Sequence, residues 1–243
     1  GGDFAAALGA GCPVIGKANS SHPGTSRLLA EEALAALEST GLPRSTVQLI
    51  YRTDHDVGMK LVSHPKIGAT GYTGSRRAGL ALKAAADVAG KPIYLELSSI
   101  NPVYILPGAL QERSEAIADD FGTSCLMGTG QFCTNPGIVV LQKGPDTDAF
   151  IGQVKERFDA APVGTLLAEG VETGMSRSVA TLQSAGAELL TGGRAAAGTG
   201  YSFSNTLLKV AGEQFLQDPE TLQTEAFGNG SLFIVVDDLD QAC

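Results

Sequence analysis

Short apolar runs alternate with longer amphipathic segments along this chain. Residues 4–8 read as the end of a helix closed by Gly9 and Gly11, and 13–17 as a buried strand. After the loop Asn19-Ser20-Ser21-His22-Pro23-Gly24, Leu28, Leu29, Leu34 and Leu37 recur at roughly helical spacing. Thr25 or Ser26 is the expected cap of that helix, and Gly41 followed by Pro43 its stop. A second strand spans 46–51. Asp54 is placed to cap a short helix that ends before Pro65. A third strand over 67–72 leads through Gly74-Ser75 into an alanine-rich helix over 77–89, closed by Gly90, and a fourth strand spans 92–97. Strands alternating with longer helices predict a mostly parallel sheet with helices on its faces.

The same rhythm resumes after residue 98. Strands are expected over 103–106, 138–142, 187–190, 205–210 and 231–236, with helices over 111–126, 146–159 and 171–185. Residues 191–200 form a loop rich in glycine and alanine, and Asp237-Asp238-Leu239-Asp240 reads as a capped helix start. The expected division is therefore two α/β units, 1–98 and 99–243.

Composition narrows the function class. The chain has 243 residues, 43% apolar, with 31 glycines, as a turn-rich globular protein would. Its net charge of −9 argues against the basic surface that nucleic-acid binding needs. No apolar run approaches the ~20 residues of a membrane span, and no signal peptide opens the chain. Cys12, Cys125, Cys133 and Cys243 lack metal or disulfide spacing, and His22, His55 and His64 are scattered. No metal site is expected. A reducing, cytoplasmic setting is. Gly1-Gly2-Asp3 starts without methionine and the last helix stops at Cys243, so the chain reads as an internal piece of a longer subunit.

The chemistry centres on Gly130-Gln131-Phe132-Cys133-Thr134-Asn135-Pro136, a thiol between glycines and a proline just ahead of Ile138-Val139-Val140-Leu141. Two readings are open: a nucleophile on an exposed turn, or a small buried hydrophobe, the commoner fate of a free cysteine.

Four segments in a fixed order bear on that choice. Gly-Gln-x-Cys-Thr-x-Pro resembles the nucleophile segment of aldehyde dehydrogenases. Leu95-Glu96-Leu97-Ser98-Ser99-Ile100-Asn101-Pro102 resembles that family's general-base segment. Tyr72-Thr73-Gly74-Ser75 resembles its cofactor-binding turn, and Glu225-Ala226-Phe227-Gly228 its second cofactor-contacting segment. Each motif is weak alone; the ordered set spans most of the chain. It implies an α/β fold: the end of a Rossmann-like, parallel-sheet cofactor domain followed by a catalytic domain, truncated at both ends.

The resemblance implies oxidation of an aldehyde to an acid with NAD(P). Cys133 is then the nucleophile and Glu96 the base that activates water. Glu96 ends an apolar strand, where burial would raise its proton affinity; strand alternation alone would make it a surface glutamate. The backbone N–H of Cys133 is one oxyanion donor. The family's asparagine donor lies in a segment upstream of Gly1, and Asn101 and Asn135 are not its equivalents. Gly74 and Ser75, at a helix start, are placed to hold a phosphate. Gly74 and Gly79 do not form the three-glycine dinucleotide fingerprint. Lys17 matches a lysine on the adenosine ribose, and Glu225, with Phe227 nearby, a glutamate on the nicotinamide ribose. Asn229 stands where the family usually has proline.

Three residues after Lys17, where an acid often marks NAD use, stands Ser20, and Arg52 follows the second strand. This favours NADP, with NAD or dual use open. Ser98-Ser99, in place of a common Gly-Gly, with the loop Ser21-His22-Pro23-Gly24-Thr25, resembles the branch acting on 2-oxoglutarate semialdehyde (2,5-dioxopentanoate). A homo-oligomer is expected, as in the family. The competing reading is a non-catalytic fragment or homologue acting as a folding or assembly unit. A cysteine hydrolase is disfavoured, since no histidine carries a motif.

Overall fold

The computed structural model describes residues 2–197 and 200–243. Two positions of the expected loop 191–200, 198 and 199, therefore lie outside the described residues. The chain divides into two units, Gly1–Leu97 and Ser98–Cys243.

The first unit runs α1 (Gly2–Gly9), β1 (Val14–Lys17), α2 (Pro23–Thr40), β2 (Val47–Ile50), α3 (His55–Val62), β3 (Thr70–Thr73), α4 (Arg76–Val88) and β4 (Ile93–Glu96). β1 pairs with β2 and β3 with β4, both parallel. Several element ends and caps differ from expectation. α2 begins at Pro23, two residues before Thr25, because the fixed φ of proline suits the first helical position; His22 precedes it and gives no side-chain cap. β3 begins only at Thr70, since residues 65–66 form a turn. Asp54 stands at the N-cap of α3 without a side-chain cap bond, whereas Ser75 caps α4 by accepting from the N–H of Ala78. The apolar core here is thin: Ala18, Leu37, Val62 and Ala86 are its buried hydrophobic residues. Val88 and Tyr94 are 92% and 70% exposed.

The second unit runs β5 (Pro102–Ile105), α5 (Pro107–Leu126), β6 (Ile138–Gln142), α6 (Pro145–Ala160), α7 (Glu169–Ser184), β7 (Glu188–Thr191), β8 (Thr206–Ala211), α8 (Gly212–Gln217), α9 (Pro219–Leu222), β9 (Gly230–Val236) and α10 (Leu239–Ala242). The short helices α8 and α9 are too brief to show a helical period in sequence. The five strands form one sheet in the order β5-β6-β9-β8-β7, parallel except where β7 meets β8. β6 and β9, at the centre, are apolar on both faces, as strands covered on both sides must be. One face packs Phe121, Phe150, Phe158 and Phe233 under α5 and α6. The other packs Met175, Val179 and Leu182 of α7 over Leu208 and Ile234. Phe233 lies with its ring centre 5.7 Å from that of Phe121 and 6.2 Å from that of Phe150, tilted against both, in the range where aromatic pairs attract. Among the described residues, no helix is long and apolar enough to cross a membrane.

Candidate active site

Cys133 sits where α5 hands over to β6. Gly128, Thr129 and Gly130 all take positive φ (57°, 59° and 67°), which reverses the chain after the helix. The N–H of Asn135 then donates to the carbonyl of Phe132 at 3.1 Å and closes a four-residue turn with Cys133 and Thr134 at its centre. Central residues of such a turn point their N–H groups outward. The Cys133 side chain is exposed, and the backbone N–H of Cys133 donates to no acceptor among the described residues.

The turn is braced from several directions. The Cys133 carbonyl accepts from Ser99 Oγ and from Asn101 Nδ2, each at 2.8 Å. Asn101 Nδ2 also reaches the Asn135 carbonyl at 3.0 Å, and Asn135 Nδ2 donates to the Gly228 carbonyl at 3.2 Å. Gln131 Nε2 donates to the carbonyls of Gly128 and Thr165, while its Oε1 accepts from the N–H of Leu167 at 2.8 Å. Thus the stretch 99–101, the loop 165–167 and Gly228 all hold the thiol turn.

Glu225 lies half-buried beside this network. Its Oε1 accepts from the N–H of Ser99 at 3.4 Å, and its carbonyl accepts from Ser178 Oγ of α7 at 2.9 Å. Burial pushes its carboxyl above the ordinary range; hydrogen bonds from Ser98 and Ser99 pull the other way. Phe227 is exposed. Asn229 is fully buried and donates to the Phe203 carbonyl and to Asn205 Oδ1, both at 2.7 Å. Cys125 is a different kind of thiol: buried in the apolar cluster of α5, it is pushed up to about 12.

The remaining candidates belong to the first unit. Lys17 ends β1 and Arg52 follows β2; in the parallel register Lys17 faces Ile50, so both cations leave the same end of that pair, with Ser20 close in sequence. Gly74 follows β3 and its N–H donates to the Glu96 carbonyl at 3.0 Å, which puts Gly74, Ser75 and Glu96 at the same end of the second pair. A Cβ on Gly79 would lie 2.3 Å from Leu97 Cδ2, so the first turn of α4 packs closely on the strand beside it. Carboxyl ends of parallel strands are where α/β sheets bind ligands. The apolar surroundings expected for Glu96 are not found: it is exposed, because β4 turns Ile93 and Leu95 inward and Tyr94 and Glu96 outward. Among the described residues, no group of three or more His, Cys, Asp or Glu is arranged to hold a metal ion.

Sequence reasoning passed over Ser99, Asn101, Gln131 and Asn135 as site residues. The available signal was polar side chains flanking a turn rich in glycine and proline. Asn101 in particular takes φ 47°, a conformation asparagine tolerates better than most residues.

Comparison with known proteins fits this arrangement. The model of the aldehyde dehydrogenase family matches residues 1–243, and the chain belongs to that family. It is 40% identical over 243 residues to alpha-ketoglutaric semialdehyde dehydrogenase 2 of Azospirillum brasilense, covering 99% of this chain and 46% of that protein. It is 36% identical over 241 residues to the alpha-ketoglutaric semialdehyde dehydrogenase of Acinetobacter baylyi, covering 98% and 45%. Lactaldehyde dehydrogenase from Escherichia coli superposes with a TM-score of 0.83 at 25% identity, covering 98% of this chain and 50% of that one. The chain thus spans about half the length of the curated relatives it matches.

Proposed function

We propose that the protein carrying this chain oxidises a small aldehyde to its carboxylic acid with a nicotinamide dinucleotide, through a covalent adduct on Cys133. The observation that carries the reading is the exposed Cys133 thiol on a turn braced by Ser99, Asn101, Asn135 and Gln131. The thiolate adds to the aldehyde carbonyl as a thiohemiacetal, and the outward N–H of Cys133 stabilises the oxyanion. A bound dinucleotide would supply the hydride acceptor; once the adduct carbon has given up its hydride, Cys133 carries a thioester. Glu96 then serves as the base that delivers water to the thioester.

The chain's residues suit a phosphate-bearing dinucleotide. Lys17 and Arg52 supply positive charge and Ser20 no repelling acid. Gly74 and Ser75 open the 13-residue helix α4, whose N-terminal N–H groups favour phosphate. Glu225, with Phe227 beside it in sequence, accounts for the nicotinamide ribose. This set favours NADP, with NAD as the alternative. The likeness to two alpha-ketoglutaric semialdehyde dehydrogenases supports 2,5-dioxopentanoate as the substrate. The four free thiols suit a reducing cytoplasm.

A second reading, a non-catalytic folding or assembly unit, draws on the thin core of the first unit and its exposed Val88 and Tyr94. The same surface supports assembly into homo-oligomers. One comparison separates the readings: dinucleotide reduction by the full-length protein with 2,5-dioxopentanoate, beside Cys133→Ala. Turnover that the variant loses by several orders of magnitude supports the enzyme. Turnover unchanged in Cys133→Ala, or none in the parent, overturns it.

A further inference from the structure

Ser99 has two partners that no other residue joins among the described ones. Its N–H reaches Glu225 Oε1 at 3.4 Å, and its Oγ donates to the Cys133 carbonyl at 2.8 Å. The Cys133 carbonyl has two acceptor positions, and Asn101 Nδ2 takes the other at 2.8 Å. Asn101 Nδ2 also lies 3.4 Å from Ser99 Oγ, which orients the hydroxyl so that its proton points to Cys133. On the far side, Ser178 Oγ fixes the Glu225 backbone to α7. A continuous path of hydrogen bonds therefore runs from α7 through Glu225 and Ser99 to the peptide that carries the thiol.

We infer that Ser99 is a positioning residue that couples occupancy of the Glu225 carboxylate to the reactivity of Cys133. The inference rests on the reading of Cys133 as nucleophile and Glu225 as a dinucleotide contact. A ligand hydroxyl on Glu225 competes for the carboxylate oxygen that Ser99 N–H uses. Movement of the Ser99 backbone shifts its hydroxyl, and with it the Cys133 carbonyl. Because the turn is closed within four residues, a shift of that carbonyl reorients the thiol and the outward N–H together. Asn101 bonds to the turn and to the Ser99 hydroxyl but not to Glu225, so it braces without relaying. The hydroxyl of Ser99 is the atom on which the relay depends.

The test measures iodoacetamide alkylation of each cysteine in the full-length protein by mass spectrometry, with and without NADP. Wild type is compared with Ser99→Ala, Ser99→Gly and Ser99→Thr. In wild type, Cys133 is expected to react faster than Cys12 and Cys243, and NADP to change its rate about fivefold or more, the lower range of ordinary site-to-site coupling. Ser99→Ala keeps the N–H to Glu225 and loses the hydroxyl, so the NADP effect on Cys133 falls toward unity while NADP still binds. Ser99→Gly behaves alike, and Ser99→Thr restores the effect. A merely structural serine would change alkylation with and without NADP by the same factor. If NADP alters Cys133 equally in wild type and Ser99→Ala, the coupling role is overturned and the functional reading stands. If wild-type Cys133 reacts no faster than Cys12 and ignores NADP, the functional reading falls and the inference with it.

Discussion

The α-carbon of Gly130 rests against the backbone of Gly228: a Cβ built on Gly130 would lie 2.0 Å from the Gly228 carbonyl oxygen and 2.4 Å from its carbon. Gly130 also has φ 67°, in the left-handed region. Both facts concern backbone, so no side-chain rotation can relieve them. Gly130→Ala is expected to lose at least about 2 kcal/mol, combining left-handed strain with displacement of the facing loop. The same displacement unseats the Cys133 turn, since Asn135 bonds to the Gly228 carbonyl. Urea unfolding and Cys133 alkylation check the two effects; a variant as stable as wild type would show that the two glycines are not in contact.

Asn229 anchors the same loop from within. Its amide donates to the Phe203 carbonyl and to Asn205 Oδ1, and Asn205 Nδ2 holds the carbonyls of Phe158 and Ala161 at 3.1 Å. The pair thus ties the end of α6 to β8 and β9. Asn229→Ala strands a buried carbonyl and a buried amide oxygen, each worth about 1–3 kcal/mol when unsatisfied. The expected result is a lower urea midpoint with an unchanged denaturant slope. A midpoint equal to wild type would mean that removing the buried, unpartnered Asn229 Oδ1 offsets the loss of both bonds.

These two sites mark the limit of what the sequence discloses. The strand over 138–142 is legible because four consecutive apolar, mostly β-branched residues stand between Pro136-Gly137 and Gly144-Pro145. The stop of α2 at Gly41 is legible because a left-handed glycine ends helices by a local rule. The thiol turn is legible as a motif, but its supports are not. Ser99 and Asn101 meet Cys133 across more than thirty residues of chain, and nothing local in either predicts a partner so distant. Asn229 reads in sequence as a departure from a familiar pattern and proves to be a buried link. Glu96 shows the converse. Its apolar neighbours suggested burial, yet a two-stranded pair leaves one face open, and alternation put the carboxylate there.

The buried thiol gives a control for the exposed one. Cys125 is 0% exposed and its thiol is pushed up to about 12, so at neutral pH almost none is thiolate. Native alkylation should reach Cys12, Cys133 and Cys243, and Cys125 only as fast as the second unit opens. Full labelling appears in strong denaturant. Rapid native labelling of Cys125 would contradict the packing of α5 on Val139 and Phe233.

Glu225 carries a pH signature of its own. Burial raises its carboxyl above the ordinary glutamate range, and the bonds from Ser98 and Ser99 only partly offset this. A carboxyl whose folded value exceeds its unfolded value favours the folded state while protonated. Its contribution is fully present below the ordinary glutamate range and is lost as pH rises through the folded value. Above the folded value the fold therefore holds the ionised form of Glu225 at a disadvantage. Glu225→Gln keeps an acceptor oxygen for the Ser99 N–H and removes the titration. The variant should melt above wild type at pH 7, and the gap should close on acidification through the carboxylate range. Every other group titrates alike in the two proteins, so the difference curve isolates this residue. Because the side chain is only half-buried, solvent screening keeps the effect small. A wild type that melts higher than Glu225→Gln at pH 7 would show that the two serines outweigh burial, and that the carboxylate is held ready in its charged form.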